Sequence, residues 1–141
     1  MRAIDPALAD LLALALGAIF ATSGAMKLGD LELFESAVAN YRLLPRLVEK
    51  PFAWTLPIVE CACAAGMLFA ATRAAAASML ILLLAAFTGA IAINLARGRR
   101  DIDCGCFGPA LRQELSGWLL VRNFALMTLA AIVAMPVSVR P

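Results

Sequence analysis

The reactive side chains of this 141-residue sequence are four cysteines in two Cys-X-Cys pairs, Cys61 with Cys63 and Cys104 with Cys106. The second pair lies in the run Asp101-Ile-Asp-Cys-Gly-Cys-Phe-Gly-Pro109, preceded by Arg97, Arg99 and Arg100. Thiolate is the reactive form of cysteine and nearby cations favour it; Asp101 and Asp103 partly offset the three arginines. Gly105 lets the backbone bend sharply enough for the two thiols to meet. A disulfide across a single residue closes a small ring, departs from relaxed geometry and is comparatively easy to reduce. Cys104 and Cys106 are therefore candidates for thiol–disulfide exchange, the alternative being two unpaired cysteines in a tight turn.

Cys61 and Cys63 lie inside an apolar run. Two residues along a helix is about 200° around it, so these thiols cannot share a partner or readily bond each other. Cys63 shares a face with Glu60 and is the stronger secondary thiol; Cys61 reads more simply as a small packing residue. Glu60 is more telling, because a carboxylate within an apolar span faces the protein interior, a partner or a water-filled cavity. At 1.5 Å per residue it lies about 13 Å along the helix from Pro51, and Arg122 lies about 9 Å from Ser116. Lys27, Glu60, Asn94 and Arg122 with Asn123 thus contribute polar groups from four apolar runs toward the end that carries Cys104 and Cys106. Two readings stand: an ion pair holding helices in register, or a polar pocket serving the thiols.

The elements that position these groups follow from composition. Apolar residues make up 63% of the chain and charged ones 16%, with a formal net charge of +2 and a mean hydropathy of +0.88. A soluble domain carries roughly 45–50% apolar and about 25% charged residues, and a domain of this size leaves much of its surface in contact with water. A typical soluble enzyme, a disordered segment and a basic nucleic-acid module are excluded, and an integral membrane protein of one domain is implied. There is no histidine, so imidazole zinc sites and histidine acid–base catalysis are unavailable, and no metal site is expected. Four cysteines are too few for a disulfide-stapled scaffold.

Four stretches reach the roughly 20 residues needed to cross a bilayer: about 6–28, 51–72, 74–96 and 116–139. The β-barrel alternative lacks its many alternating strands. The first stretch imitates a signal peptide, but its length, Asp5 and Asp10 before it and Lys27 closing it predict a retained helix. Small residues spaced by four (Ala13, Gly17 and Ala21; Ala62, Gly66 and Ala70; Ala85 and Gly89) predict close helix contacts. Between the first two spans, Phe34, Ala37, Val38, Tyr41 and Leu44 recur at helical spacing. Asp30 can cap this segment and Pro45 closes it, so an amphipathic helix over about 31–44 lies along the interface or folds back over the bundle. The expected architecture is all-α, an integral membrane four-helix bundle with this additional amphipathic helix between helices 1 and 2. The connection between spans two and three is expected around Arg73, and the cysteine loop over 97–115.

Sidedness is contested by two arguments. Lys27, Arg42, Arg46, Lys50, Arg97, Arg99, Arg100 and Arg112 lie on the cysteine side, against Arg2, Arg73 and Arg140 opposite. The positive-inside rule then puts the cysteine loop in the cytoplasm, whereas disulfide chemistry belongs outside it.

Lys27-Leu, Phe34 to Pro45 (FESAVANYRLLP), Leu56-Pro-Ile-Val-Glu60, Asn94-Leu-Ala-Arg-Gly98, Asp103-Cys-Gly-Cys-Phe-Gly108 and Arg122-Asn123 resemble the MauE family of methylamine-utilisation membrane proteins, related to DoxX-like four-helix proteins. The match runs over nearly the whole chain. The resemblance implies a bacterial inner-membrane protein acting with a periplasmic thioredoxin-like partner in maturation of the disulfide-rich small subunit of methylamine dehydrogenase. It makes Cys104 and Cys106 the redox pair, with Glu60 and Arg122 as matching intramembrane positions; Cys61 and Cys63 lie outside its pattern.

The resulting expectation is a membrane thiol–disulfide component that exchanges electrons with a thioredoxin-like protein. A quinone is a possible further cofactor and would need an apolar slot beside the thiols, near Glu60 and Arg122. Two rivals come from other classes: a transporter of a soft metal, for which thiolates select, and a non-catalytic assembly factor in which the cysteines are incidental.

Overall fold

The computed structural model describes residues 5–99 and 116–134, and all elements within them are helices: α1 (Pro6–Gly29), α2 (Leu31–Asn40), α3 (Arg46–Gly66), α4 (Ala70–Ala96) and α5 (Gly117–Ala134). All but the first three residues of the expected cysteine loop, Cys104 and Cys106 among them, and the end of the fourth span lie outside the described residues.

Local chemistry sets the boundaries. Asp5 caps α1 by accepting from the Ala7 amide at 2.9 Å, and Pro6 follows, where its missing N–H costs nothing. Asp30 closes α1 through its own amide to the Lys27 carbonyl and opens α2 by accepting from the Leu33 amide at 3.1 Å. One residue thus serves both ends of a sharp reversal. α2 buries Phe34, Ala37 and Val38 against Ala53 and Leu56 of α3, so the amphipathic helix folds back onto the bundle. It ends through Tyr41 into Arg42, whose φ of 53° is left-handed. Pro45 then precedes α3.

The turn between α3 and α4 differs from expectation. Instead of the second span running to Thr72 with a connection at Arg73, α3 ends at Gly66 and α4 begins at Ala70. Thr72 Oγ1 donates to the Gly66 carbonyl at 2.8 Å and Arg73 Nε to the Met67 carbonyl at 3.1 Å. Both side chains therefore reach back from the first turn of α4 to cap α3, satisfying carbonyls left open at its end. Arg73 also reaches Asp10 near the start of α1, at 2.9 Å. At the other end, an Arg97 guanidinium nitrogen donates to the Arg42 carbonyl, and Tyr41 packs with Ile91 and Leu119. The α1–α3 connection and the two ends flanking the cysteine loop thus share one end of an antiparallel bundle.

Among the described residues three helices, α1, α4 and α5, are by themselves long and apolar enough to cross a membrane. α3 carries Arg46, Glu49, Lys50 and Glu60 in 21 residues, and completes the four-helix bundle by packing between α1 and α4. Its Trp54 and the Trp118 of α5 are exposed, as interfacial aromatics are. The largest core cluster joins Leu16 and Phe20 of α1, Cys63 and Met67, Leu80 and Leu84 of α4, and Ala130 and Val133 of α5.

The small-residue rows are only partly at contacts. Ala13 and Gly17 are buried, but Ala21, Ala62, Ala85 and Gly89 are exposed. α1 comes close to α3 at Gly24, where a Cβ would stand 2.6 Å from Cys61 Sγ and 3.1 Å from the Pro57 carbonyl oxygen. Pro57 lies inside α3, where its missing N–H leaves the Ala53 carbonyl without its usual intrahelical donor.

Candidate functional site

The close approach at Gly24 brings two charges together inside the bundle. Lys27 Nζ lies 2.6 Å from Glu60 Oε1, and the two side chains are 0% and 1% exposed. Ser23, one turn before Lys27, donates through Oγ to Glu60 Oε2 at 3.3 Å. The other side of the ammonium is aromatic, with the Phe34 ring centroid at 5.2 Å and that of Phe87 at 5.1 Å. Helices α2, α3 and α4 thus each supply a group to one buried cation carried by α1. An unpaired charge at this depth would be costly, and pairing with added hydrogen bonds and ring quadrupoles is what makes it tolerable.

A second polar group lies nearer the end that carries the cysteine loop. Asn94 and Asn123 are buried. Asn94 Nδ2 donates to the Ala90 carbonyl at 3.0 Å, and its Oδ1 accepts from Arg99 at 2.9 Å, which draws the exit of α4 back over the bundle. Arg122 donates from its guanidinium to Asn123 Oδ1, through NH2 at 3.2 Å. Tyr41, at the end of α2, stands close enough to Arg122 to interact with it electrostatically. Asn123 Nδ2 is the buried side-chain donor among the described residues that has no hydrogen-bond partner.

Of the residues singled out from the sequence, Lys27 and Glu60 are therefore joined directly, while Asn94 and the Arg122–Asn123 neighbours make their described side-chain bonds elsewhere. The described bonds among these residues fall into separate sets: Lys27 with Glu60 between α1 and α3, Asn94 with Arg99 at the end of α4, and Arg122 with Asn123 on α5. Cys61 and Cys63 are free thiols in different surroundings, as their 200° separation requires. Cys63 is buried in the main apolar cluster, and Cys61 lies half-buried against Gly24.

Sequence reasoning missed Ser23, Gly24, Phe87 and Arg99 as parts of these groups. Ser23 and Lys27 are four apart, and Gly24 precedes Lys27 by three, so a single face of α1 carries all three. That periodicity was the available signal. Phe87 had none, because it sits in a run that is apolar all round.

A bundle of antiparallel apolar helices whose buried charges are matched across helices defines a polytopic α-helical membrane protein with a polar cluster toward one end. The chain belongs to the MauE family. The family model described as methylamine utilisation protein MauE matches residues 5–136. The methylamine utilization protein MauE of Paracoccus denitrificans is 39% identical over 93% of this chain and 70% of its own length. That of Paracoccus versutus is 40% identical over 87% of this chain and 67% of its own. The Methylophilus methylotrophus protein is 36% identical over 92% and 69%. No solved structure matches the chain. Membership makes this a methylamine-utilisation membrane protein.

Proposed function

We propose that this protein is a thiol–disulfide exchange component of the bacterial inner membrane, working through Cys104 and Cys106 with a thioredoxin-like partner, in support of disulfide formation in the methylamine dehydrogenase small subunit. What carries this reading is the Asp-Cys-Gly-Cys-Phe-Gly run in the connection between α4 and α5. That connection leaves α4 beside Asn94 and Arg99 and enters α5 ahead of Arg122 and Asn123. Arg97, Arg99 and Arg100 just before the pair in sequence favour thiolate over thiol, partly offset by Asp101 and Asp103.

The exchange balances within the two proteins. One thiolate of the pair attacks a sulfur of the partner's disulfide, the S–S bond breaks, and the expelled partner sulfur leaves as thiolate. The second cysteine then attacks the mixed disulfide, so that Cys104 and Cys106 end bonded to each other and the partner ends as a dithiol. Two electrons and two protons pass to the partner in that direction; disulfide formation uses the reverse, in which a partner thiolate attacks the 104–106 disulfide, its second cysteine resolves the mixed disulfide, and the partner ends oxidised with Cys104 and Cys106 as thiols.

The test uses the full chain in membranes. Cys104→Ser and Cys106→Ser are each co-expressed with a thioredoxin-fold protein that lacks its own resolving cysteine. One variant should accumulate a mixed disulfide that a reductant releases, and the wild type under graded glutathione buffers should show a 104–106 disulfide. Unchanged methylamine-dependent growth with both serines present, and no adduct in either single variant, refutes the proposal.

A further inference from the structure

An apolar groove of about 260 Å³ opens between α2, α3 and α4, lined by Phe34, Tyr41, Leu44, Phe52, Leu83 and Phe87 among others. It runs along α4 from Leu83 to Ala90, about 10 Å at 1.5 Å per residue. Its walls offer side chains with almost no hydrogen-bonding capacity beyond the Tyr41 hydroxyl.

Its mouth is of opposite character. Arg42 immediately precedes Leu43 and Leu44 of the wall, and Arg97 is held beside it by the 3.4 Å bond to the Arg42 carbonyl. Both arginines are exposed. Arg46 and Lys50 follow on the first turns of α3, the Lys50 ammonium lying 5.4 Å from the Trp54 ring centroid. Glu49 is the acid in that first turn, and Glu32 and Glu35 lie farther back on α2. Arg42 itself sits in the left-handed region, at φ 53°. Glycine is the usual residue at such a helix end, so arginine at this position bears a backbone strain that glycine would not.

We propose that this groove holds an acyl chain of an anionic glycerophospholipid whose phosphate is bound at the rim by Arg42 and Arg97. Charge complementarity selects the occupant: a cluster of cations at headgroup depth attracts an anion, while the wall below accepts only hydrocarbon. An isoprenoid quinone suits the site less well, because its two ring carbonyls would find one hydroxyl in the groove and its tail would leave the arginines unmatched. The bound lipid would tie the α2–α3 elbow to the exit of α4, beside the cysteine loop.

The test is native mass spectrometry of the full chain released from mild detergent, with phosphatidylglycerol and phosphatidylcholine of identical acyl chains added in competition. Wild type should retain one phosphatidylglycerol in preference to phosphatidylcholine. Arg42→Gly relieves the left-handed turn, so it should fold at least as stably as wild type, yet its preference should fall about five-fold for the lost cation. Leu83→Trp, which fills the groove, should lose retention of both lipids. Equal retention of the two lipids by wild type, an unchanged preference in Arg42→Gly, or displacement of phosphatidylglycerol by added ubiquinone would each overturn the proposal.

Discussion

Replacing Lys27 by methionine removes the ammonium while keeping most of the stem. Glu60 then stays in a site where it is 1% exposed with the 3.3 Å bond from Ser23 Oγ as its remaining described side-chain partner. Breaking a buried ion pair on one side costs about 3–5 kcal/mol, because the surviving charge is left uncompensated. Loss of the two ring contacts adds up to roughly 1 kcal/mol each, in part restored by favourable sulfur–aromatic contacts of the new Met. At about 1.4 kcal/mol per decade, the folded-to-unfolded ratio should fall by two to four powers of ten.

The double variant Lys27→Met, Glu60→Met has no buried charge to strand. Apolar replacement of a whole buried pair is often neutral or stabilising, so it should recover to within about 1–2 kcal/mol of wild type. Equilibrium unfolding in mixed micelles, followed by the fluorescence of Trp54 and Trp118, measures both. Single costs that simply add in the double variant, or a Lys27→Met protein within about 1 kcal/mol of wild type, would refute the claim that the charges depend on each other. The double variant also separates two roles. If it folds and still supports methylamine growth, the pair only holds α1 to α3; if it folds and does not, the charge itself is used.

Ser23→Ala deletes a donor to a charged acceptor, and should cost about 1–2 kcal/mol in the same unfolding assay. Gly24→Ala forces a Cβ to 2.6 Å from Cys61 Sγ and should cost about 1–3 kcal/mol as overpacking does. Adding Cys61→Ala should return only part of that, since the Pro57 carbonyl oxygen at 3.1 Å remains.

Much of this fold was legible because lipid simplifies the code. The long apolar runs mark helices, and Lys27 and Glu60 stand out because charges inside such runs need partners. The amphipathic face of Phe34, Ala37 and Val38 predicted α2 and its buried side. The α3–α4 turn was not legible, because residues 66–71 are apolar or glycine and the nearest polar residues, Thr72 and Arg73, reach back to the turn from inside α4. The spacing of small residues misled for a related reason: alanine is so frequent here that rows such as Ala85 and Gly89 arise on exposed faces. At the site, residue types were readable but pairings were not. Asn94 bonds Arg99 on its own helix exit, and which polar groups of four helices meet depends on helix rotations that a sequence pattern does not specify.

The polar groups also constrain what the bundle can do along its length. Among the described residues the buried polar side chains are Ser23, Lys27, Glu60, Thr88, Asn94 and Asn123; those of α1, α4 and α5 lie in the half of their helix nearer the cysteine connection, and Glu60, past the middle of α3, meets Ser23 and Lys27. Thr88 already satisfies itself on the Leu84 carbonyl at 2.6 Å. The other half is filled by Leu16, Met67, Ala77, Leu80, Ala130 and Val133, with no other buried polar side chain among the described residues. An ion relayed across the membrane needs ligands or water at each step, because unsatisfied charge in an apolar interior is prohibitive. Cys63, on the border of that half, is packed among these apolar residues, with Cys61 turned away from it toward Gly24. A soft-metal relay through the bundle would therefore have to cross a packed hydrocarbon layer, whereas chemistry confined to one membrane face asks nothing of it. That asymmetry argues against transport through the described helices, and wild-type proteoliposomes test it: they should show no Cu(I) or Zn(II) flux above protein-free vesicles, and a flux that Cys63→Ala abolishes would refute it.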